Sequence, residues 1–289
     1  MKNKISRLFK KTLTVISPEL NAKVIYWVKF RKKLNLAHPK DFHEKLIALK
    51  IKKYNYDPLV KQCADKYAVR NYVISKNCGD VLNELIAVYD TPDQMEWERL
   101  PAQFVIKWNF GCGYNIVCQD KSKLNRDAVI KQLKKWQKST DYLDYAELQY
   151  RNVKKVIIVE KFLFTHDMSL PADYKLYCFD GNVKAILYIA DRDTHEKKAA
   201  FFSPEWRYLG KPQKSIYRDF PMIPTKPKSL VRMCEVAEAL SQGFPFVRVD
   251  FYDVDGRAVF GEMTFTPAGG NDASEINIDG ISMGELLTI

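Results

Sequence analysis

The chain has 289 residues, 46 of them Lys or Arg against 35 Asp or Glu, giving a formal net charge of +11, and 46% are hydrophobic. That apolar content can fill a substantial core in one multi-lobed unit or in two domains, and no run approaches the roughly 18 apolar residues of a membrane-spanning helix. The six cysteines, at 63, 78, 112, 118, 178 and 234, form no C-x-x-C pair and no framework spacing, which argues against a disulfide scaffold and, with no secretory signal, reads as the reduced thiols of a cytoplasmic protein.

The excess charge begins at once. In residues 1–33, Lys2, Lys4, Arg7, Lys10, Lys11, Lys23, Lys29, Arg31, Lys32 and Lys33 face only Glu19. Pro18, Glu19, Asn21 and Lys23 interrupt the apolar core that a signal peptide needs. The segment does carry apolar residues at helical spacing, so two readings stand. One is a helix lying on an anionic membrane, at the inner face of the cytoplasmic membrane; the other is a basic, solvated helix packed on the body. Nucleic acid is not expected as a partner, because charge without a binding motif is only an electrostatic footprint.

Helical patterning continues to residue 80. "DFHEKLIALKIKKYN" and "PLVKQCADKYAVRNYVISKN" place apolar residues three and four apart, and Gly79 is the expected stop of the second helix. Strands follow. "QFVIKWN" and "YNIVCQD" flank the turn "FGCG" as a hairpin, and "NRDAVIKQLKKWQKS" is an amphipathic helix opened by Asn125. "KKVIIVEKFL" is a buried strand, "DYKLYCFDGNVKAILYIADRD" a second hairpin about Asp180-Gly181, and "PKSLVRMCEVAEALSQG" a helix ended by Gly243. No repeat or low-complexity linker marks a boundary. The expected class is α+β, with a helical region over 1–80 and strand-rich parts over 81–160 and 161–289.

The last strand-rich stretch, "FPFVRVDFYDVDGRAVFGEMTFTPAGG", sets Asp250 and Glu262 inside two apolar runs, where an uncompensated buried charge is costly. Alternation sends Val247, Val249 and Phe251 to one face and Arg248, Asp250 and Tyr252 to the other. In the next strand it sets Val259, Gly261, Met263 and Phe265 against Phe260, Glu262 and Thr264. The two acids then share a face only if the turn about Asp255-Gly256 has an odd number of residues, such as a three-residue loop with a glycine bulge; a two-residue turn sends them to opposite faces. Two carboxylates held close raise each other's pKa unless a cation lies between them. With no His or thiol nearby, such hard oxygens suit Mg2+ better than zinc. In isolation the hairpin also fits solvated surface acids, or an Arg248–Glu262 ion pair.

Cations gather in the same part of the chain. Lys107 lies in the strand "FVIKWN" just before "FGCGYN", where an ammonium and turn N–H groups can meet phosphate oxygens, although Gly111 and Gly113 also suit a plain tight hairpin. "ADKYAVR" sets Asp65 and Lys66 on a helix, and "VIIVEKFL" closes a strand with Glu160 and Lys161. Lys175 in "DYKLYCF" stands where a core prefers an aliphatic residue, and Arg192 in "IADRD" closes the next strand. Singly each has an ordinary structural reading; together with two acids they are what a nucleotide–metal site demands. His38, His43, His166 and His195 have no motif partner and read as surface residues.

These blocks in this order, "ADKYAVR", "LPAQFVIKWNFGCGYNIVCQDKSKL", "IIVEKFL", "DYKLYCFDG", "FPFVRVDFYDVDG" and "FGEMTFTPAGG", resemble the ATP-grasp fold, and more narrowly the TupA-like ATP-grasp family of polysaccharide gene clusters. The resemblance runs over most of the chain, to its C-terminus. It implies a reduced, largely helical N-terminal region over 1–80, a lid subdomain over 81–160 and a catalytic antiparallel-sheet subdomain over 161–289. It further implies that Lys66 and Lys107 contact phosphates, with Gly111, Gly113, Tyr114 and Asn115 in a lid loop above them. Glu160, Lys161, Phe162 and Leu163 would be the hinge that holds adenine through main-chain groups. Lys175 and Arg192 would face the triphosphate or an acyl-phosphate, with Arg248 as a further catalytic cation, and Asp250 and Glu262 would bind Mg2+. Enzymes of this fold usually have an asparagine two residues after the metal glutamate; here Thr264 takes that place, and a hydroxyl is a poorer ligand.

The implied activity is an ATP- and Mg2+-dependent carboxylate–amine ligase acting through an acyl-phosphate. It would join an amino acid or other amine to a carboxylate-bearing glycan or lipid-linked sugar, for example a uronic acid of a bacterial surface polysaccharide. That chemistry needs charge neutralisation and alignment rather than a protein nucleophile. The alternative is a glycosyltransferase, a label this family often carries, for which "DVD" at 253–255 and "DRD" at 191–193 imitate a D-x-D metal motif, although turn chemistry explains the first without a metal. A glycan or lipid-head kinase would use the same ATP site and leave a phosphorylated acceptor.

Overall fold

The computed structural model describes residues 2–166, 169–191, 196–212, 217–271 and 276–289, with backbone alone for 2–5. The first part is helical, as its patterning requires. Helices α1 (Lys2–Ile16) and α2 (Pro18–Phe30) meet at Ser17, whose side chain accepts from Leu20 N and precedes a proline suited to the first helical position. Helix α3 (Phe42–Leu49), capped by Asp41, continues into a π-helical turn over Lys50–Tyr54. Among the described residues no helix is long and apolar enough to cross a membrane.

The second expected helix is broken. α4 (Pro58–Ala64) stops at Asp65, whose backbone is extended (φ −82°, ψ 118°), and α5 (Val69–Ser75) starts afresh. The cause is the Asp65 carboxylate: Oδ1 accepts from Tyr67 N at 2.8 Å and Ala68 N at 3.0 Å, while Oδ2 accepts from Asn109 Nδ2 at 2.6 Å. Asp65 and Lys66 therefore sit at a helix break rather than on a helix. α5 also ends before Gly79: Asn77 turns left-handed (φ 57°), and Gly79 opens a short 3-10 turn instead.

Strands β1 (Leu85–Tyr89), β2 (Phe104–Trp108), β3 (Asn115–Cys118) and, after helix α6 (Arg126–Gln137), β4 (Ile157–Lys161) make an antiparallel sheet in the order β1-β4-β2-β3. The β2–β3 hairpin and the Asn125 cap of α6, whose side chain accepts from Ala128 N at 3.0 Å, are as expected. One face buries Phe104, Ile106, Trp108, Ile157 and Val159 under Val129 and Leu133 of α6. Alternation then turns Val105 and Lys107 to the other face.

The larger antiparallel sheet comes from β5 (Asp173–Phe179), β6 (Asn182–Ala190), β7 (Lys198–Phe202), β8 (Tyr208–Gly210) and, after helix α7 (Leu230–Ser241), β9 (Phe246–Val254) and β10 (Arg257–Thr264). Their order is β10-β9-β5-β6-β7-β8. Helix α7 crosses β5, β6 and β9, placing Met233, Val236, Ala237 and Leu240 in one core with Leu176, Val247, Val249 and Phe251. A two-stranded piece, β11 (Asn277–Ile278) with β12 (Ile281–Ser282), leads into α8 (Met283–Leu286), which packs on α3. His43 departs from expectation: it is buried and stacks on Phe30 at 4.8 Å. All six cysteines are free thiols.

Phe246 joins the helical region to the large sheet. It is fully buried, its ring lies 5.2 Å from Phe42 and 5.1 Å from Phe179, and its carbonyl accepts from Tyr54 Oη at 2.7 Å. Phe246→Ala is expected to cost about 3–5 kcal/mol of stability, seen as a lower urea midpoint, whereas Tyr54→Phe should cost about 1 kcal/mol.

Candidate functional site

The two-acid hairpin turns on two residues, Asp255 (φ 54°) and Gly256 (φ 86°), the left-handed pair of a type I′ turn closed by Val254 and Arg257. The expected odd-length loop is absent. The odd residue is Gly261 instead: the register steps from Phe260 opposite Phe251 to Glu262 opposite Asp250. This bulge returns Glu262 to the face of Asp250. It also moves Phe260 to the face of Phe251 and Met263, against the expected alternation; the two phenyl rings lie 6.1 Å apart. A Cβ at 261 would lie 3.0 Å from Asp250 O and 3.5 Å from the Tyr252 ring, so the bulge favours glycine.

With that register, three neighbouring strands lay out two polar rows. Lys175, Asp250 and Glu262 form one, and Tyr177, Arg248 and Thr264 the next. Lys175 Nζ meets Asp250 Oδ2 at 2.6 Å and Asp173 Oδ2 at 3.5 Å. Arg248 holds the same aspartate with two bonds, Nε to Oδ1 at 2.7 Å and Nη2 to Oδ2 at 2.8 Å, and Nη2 also donates to Thr264 Oγ1 at 3.2 Å. Thr264 Oγ1 donates to Glu262 Oε1 at 3.2 Å. Lys66 Nζ lies 3.4 Å from Glu262 Oε2 and donates to Gly111 O at 2.5 Å. The acids tolerate these strands because cations are fixed against them.

The charges tune one another. Burial pushes the Glu262 carboxyl up, but Lys66, Lys175 and Arg248 outweigh it and hold its pKa at about 2. Burial works against the Lys175 ammonium, and Asp250 more than offsets it, so that its pKa is raised. Arg248 is raised in the same way, chiefly by Asp250.

Across the cleft, Lys107 Nζ meets Glu160 Oε2 at 2.7 Å, and Arg70 Nη1 meets Glu160 Oε1 at 3.3 Å. Burial opposes the Lys107 charge and Glu160 overcomes it, raising the pKa. The Glu160 side chain is thus an ion-pair hub beneath the cleft. The Lys161 N–H donates to Glu84 O at 3.0 Å, and its carbonyl accepts from Asn83 Nδ2 at 2.9 Å. The main chain of Lys161 is thus tied to the segment before β1.

Two cavities flank the rows. One, of about 380 Å³, opens between the two sheets and gathers Lys107, Asn115, Lys161, Phe162, Leu163 and Lys175. The other, of about 510 Å³, gathers Gly111, Tyr114, Arg248, Glu262 and Thr264. Asp250 is 4% exposed and joins Lys175 at the first to Arg248 at the second. Gly113 (φ 79°) shapes the β2–β3 turn. Arg192 lies outside the described residues, as does Asp193 of "DRD".

Sequence reasoning missed several contributors. Lys50 is 1% exposed and donates to Tyr145 O at 2.7 Å and Gly269 O at 2.6 Å, tying together two walls of the larger cavity. Burial lowers its pKa to about 8, with Glu147 opposing. Its one sequence signal is its place four residues after Leu46, on the buried side of the helical register. Glu147 lines the same cavity, accepts from Thr266 Oγ1 at 2.7 Å, and is raised by burial against Lys50. Nothing in the local pattern singles out Glu147 or Arg70.

Two carboxylates and a hydroxyl, with no His or Cys among them, fit a hard divalent cation such as Mg2+. Both oxygens of Asp250 are held by cations, whereas the Glu262 side chain is 35% exposed. Among the described residues no cluster of three or more His, Cys, Asp and Glu is suited to a metal.

A family model described as TupA-like ATPgrasp matches residues 44–288. Among solved structures, D-alanine–D-alanine ligase from Bacillus anthracis complexed with ATP aligns with a TM-score of 0.46 at 14% identity, over 79% of this chain and 64% of that one. ATP-grasp ligase PsnB complexed with minimal precursor aligns at 0.41 and 13%, over 81% and 64%. The ADP complex of purK, N5-carboxyaminoimidazole ribonucleotide synthetase, aligns at 0.41 and 11%, over 71% and 45%. The chain spans less than two thirds of the length of these structures. No curated protein matches it.

Gly261→Ala is expected to press on Asp250 O and cost about 1–3 kcal/mol, read as a lower melting temperature, with Gly261→Val worse. Glu262 has a folded pKa of about 2, below its ordinary 4.5. Its stabilising contribution is therefore present above the ordinary value and is lost as pH falls towards 2. The stability advantage of the wild type over Glu262→Gln should shrink across that window in urea titrations at a series of pH values.

Proposed function

Since the chain belongs to the TupA-like ATP-grasp family, we propose that it is an ATP- and Mg2+-dependent carboxylate–amine ligase acting through an acyl-phosphate. Its acceptor in this reading is a carboxylate-bearing glycan or lipid-linked sugar of a bacterial surface polysaccharide, and its nucleophile an amino acid or other amine. Residues 81–160 are read as the lid, 161–289 as the catalytic subdomain and 1–80 as the reduced N-terminal region of a cytoplasmic enzyme. The observation that carries the reading is the alternating row Lys175–Asp250–Arg248–Glu262–Lys66, which links the two cavities.

In this reading the cavity between the sheets takes the nucleotide. Lys107 and Lys175, kept charged by their acids, meet phosphate oxygens through charge-assisted hydrogen bonds. Phe162 and Leu163 border the base, and the turn bearing Gly111, Gly113, Tyr114 and Asn115 covers the phosphates. Lys66 serves the phosphate end. Glu262, with Asp250 and Thr264 beside it, would hold Mg2+, which when bound neutralises charge at the transferring phosphoryl group.

The larger cavity takes the acceptor. Arg248 aligns the acceptor carboxylate, whose oxygen attacks the γ-phosphorus as ADP leaves. The amine then attacks the carbonyl carbon and phosphate departs. Glu147, raised by burial on the cavity wall, is the base for the amine proton.

Of the D-x-D candidates, the two acids of "DVD" are engaged in local structure. Asp253 accepts from Gly256 N at 2.8 Å and from Ser229 Oγ at the start of α7, and Asp255 accepts from His166 N at 3.1 Å.

Calorimetry tests the reading. Mg-ATP should bind and Mg- or Mn-UDP-glucose should not. Asp250→Asn and Glu262→Gln should each weaken Mg-ATP binding by about tenfold, or ~1.4 kcal/mol, while Asp253→Asn and Asp255→Asn leave it unchanged. The reverse pattern defeats the ligase reading. Phosphate release that requires both a carboxylate and an amine supports a ligase, whereas a stable phosphorylated acceptor formed without amine would make the protein a kinase.

A further inference from the structure

Helix α1 turns its apolar face outward. Leu8, Phe9, Val15 and Ile16 are each more than half exposed, and at 100° per residue they fall with Thr12 on one side of the helix. The opposite side faces the body. There Leu13 and Thr14 are buried, and Thr14 Oγ1 donates to Leu143 O at 2.6 Å. Arg7 meets Asp141 at 2.6 Å and Asp144 at 2.8 Å, and Lys11 meets Asp141 at 3.0 Å. Helix α2 does likewise: it buries Asn21, Ala22, Ile25 and Tyr26 and leaves Trp27 and Val28 more than half exposed.

Such a surface needs a partner, and its charge selects one. Ten cations face a single acid in residues 1–33, and among the described residues only Arg7 and Lys11 of them are matched by Asp141 and Asp144 of the body, so pairing with a second copy of the same segment would bring like charges together. An anionic bilayer complements both features at once. Neither helix is suited to span a bilayer, so the element would lie in its surface. Trp27, with the Arg31 guanidinium 5.3 Å above its ring, has the amphipathic character of an interfacial anchor.

We propose that α1 and α2 form a docking element for anionic membranes, with their apolar faces inserted at the headgroup boundary and the exposed cations of the segment, Lys32 and Lys33 among them, against lipid phosphates. Docking stands apart from the ligase reading. Taken with that reading, on which this last step rests, it makes the acceptor lipid-borne: Asp141 and Asp144, clamped by the inner face of α1, line the larger cavity.

The test is co-sedimentation of the full chain with phosphatidylglycerol–phosphatidylcholine vesicles and with phosphatidylcholine vesicles. Binding is expected to the first alone and to weaken with salt. The triple variant Leu8→Glu, Phe9→Glu, Ile16→Glu should lose binding by about tenfold or more. The independent pair Val15→Glu, Val28→Glu should do the same, with circular dichroism and Mg-ATP binding unchanged in both. Lys32→Glu with Lys33→Glu should reduce binding to anionic vesicles. The proposal is overturned if anionic vesicles do not bind, if phosphatidylcholine binds equally well, or if both apolar-face variants bind like the wild type. A dimer in sedimentation velocity that the triple variant dissolves would also overturn it, by making a second copy the partner. Failure to bind Mg-ATP would remove the ligase reading and leave the docking result standing.

Discussion

A carboxylate 4% exposed in the middle of a nine-residue apolar strand can persist only if cations are fixed against it. Removing the partner of such a charge typically costs about 3–5 kcal/mol, a large share of a domain's net stability. Asp250 meets the condition with Arg248 two residues along its own strand and Lys175 directly across on the next. The pairing dictates much around it. One face of β5, β9 and β10 is committed to charge, so apolar burial by these strands falls to the other, where Val247, Val249, Phe251 and Met263 pack in one core with α7. The same strands bury the core on one side and hold the charged row on the other.

How much of this was legible depends on how far each cause lies along the chain. Local signals sufficed for the β2–β3 hairpin, for the Asn125 cap and for the faces of β9. The hairpin with two acids shows where local signals stop. Gly256 and Gly261 are both glycines in "DGRAVFGE", and either can supply the odd residue that brings the acids to one face. Only the ladder shows that the turn is even and the strand carries the bulge. Likewise, helical periodicity runs straight through Asp65, whose carboxylate caps Tyr67 N and Ala68 N with one oxygen and is held by Asn109, 44 residues away, with the other. Lys50 was harder still, since the Gly269 carbonyl it holds lies 219 residues on.

Net charge also proved to be a poor guide to surface charge. Lys66, Lys107, Lys175 and Arg248 have side chains no more than a quarter exposed, and Lys50 is buried outright. Several positive charges are therefore internal components whose fields end on neighbouring acids. Within residues 1–33 the same division holds at the scale of one helix, as Arg7 and Lys11 turn inward to Asp141 and Asp144. The outward side of that helix is defined by hydrocarbon, which a count of charges cannot show.

Alternation of sign along the row has a consequence for ligand entry. Every acid of the row has cation partners: Lys175 and Arg248 hold Asp250, and Arg248 and Lys66 lie against Glu262. On the ligase reading, phosphate oxygens and a divalent ion arrive together, with opposite charges. Lys175, Arg248 and Lys66 can then exchange carboxylate for phosphate while Asp250 and Glu262 exchange ammonium and guanidinium for metal. No charge is stranded at either stage, so the exchange avoids the desolvation penalty of an unpaired buried ion. Phosphate alone would leave the acids uncovered, and metal alone would leave the cations facing one another. On that reading the arrangement favours joint binding of the two, a consequence of the side-by-side pairing of Lys175, Asp250 and Glu262.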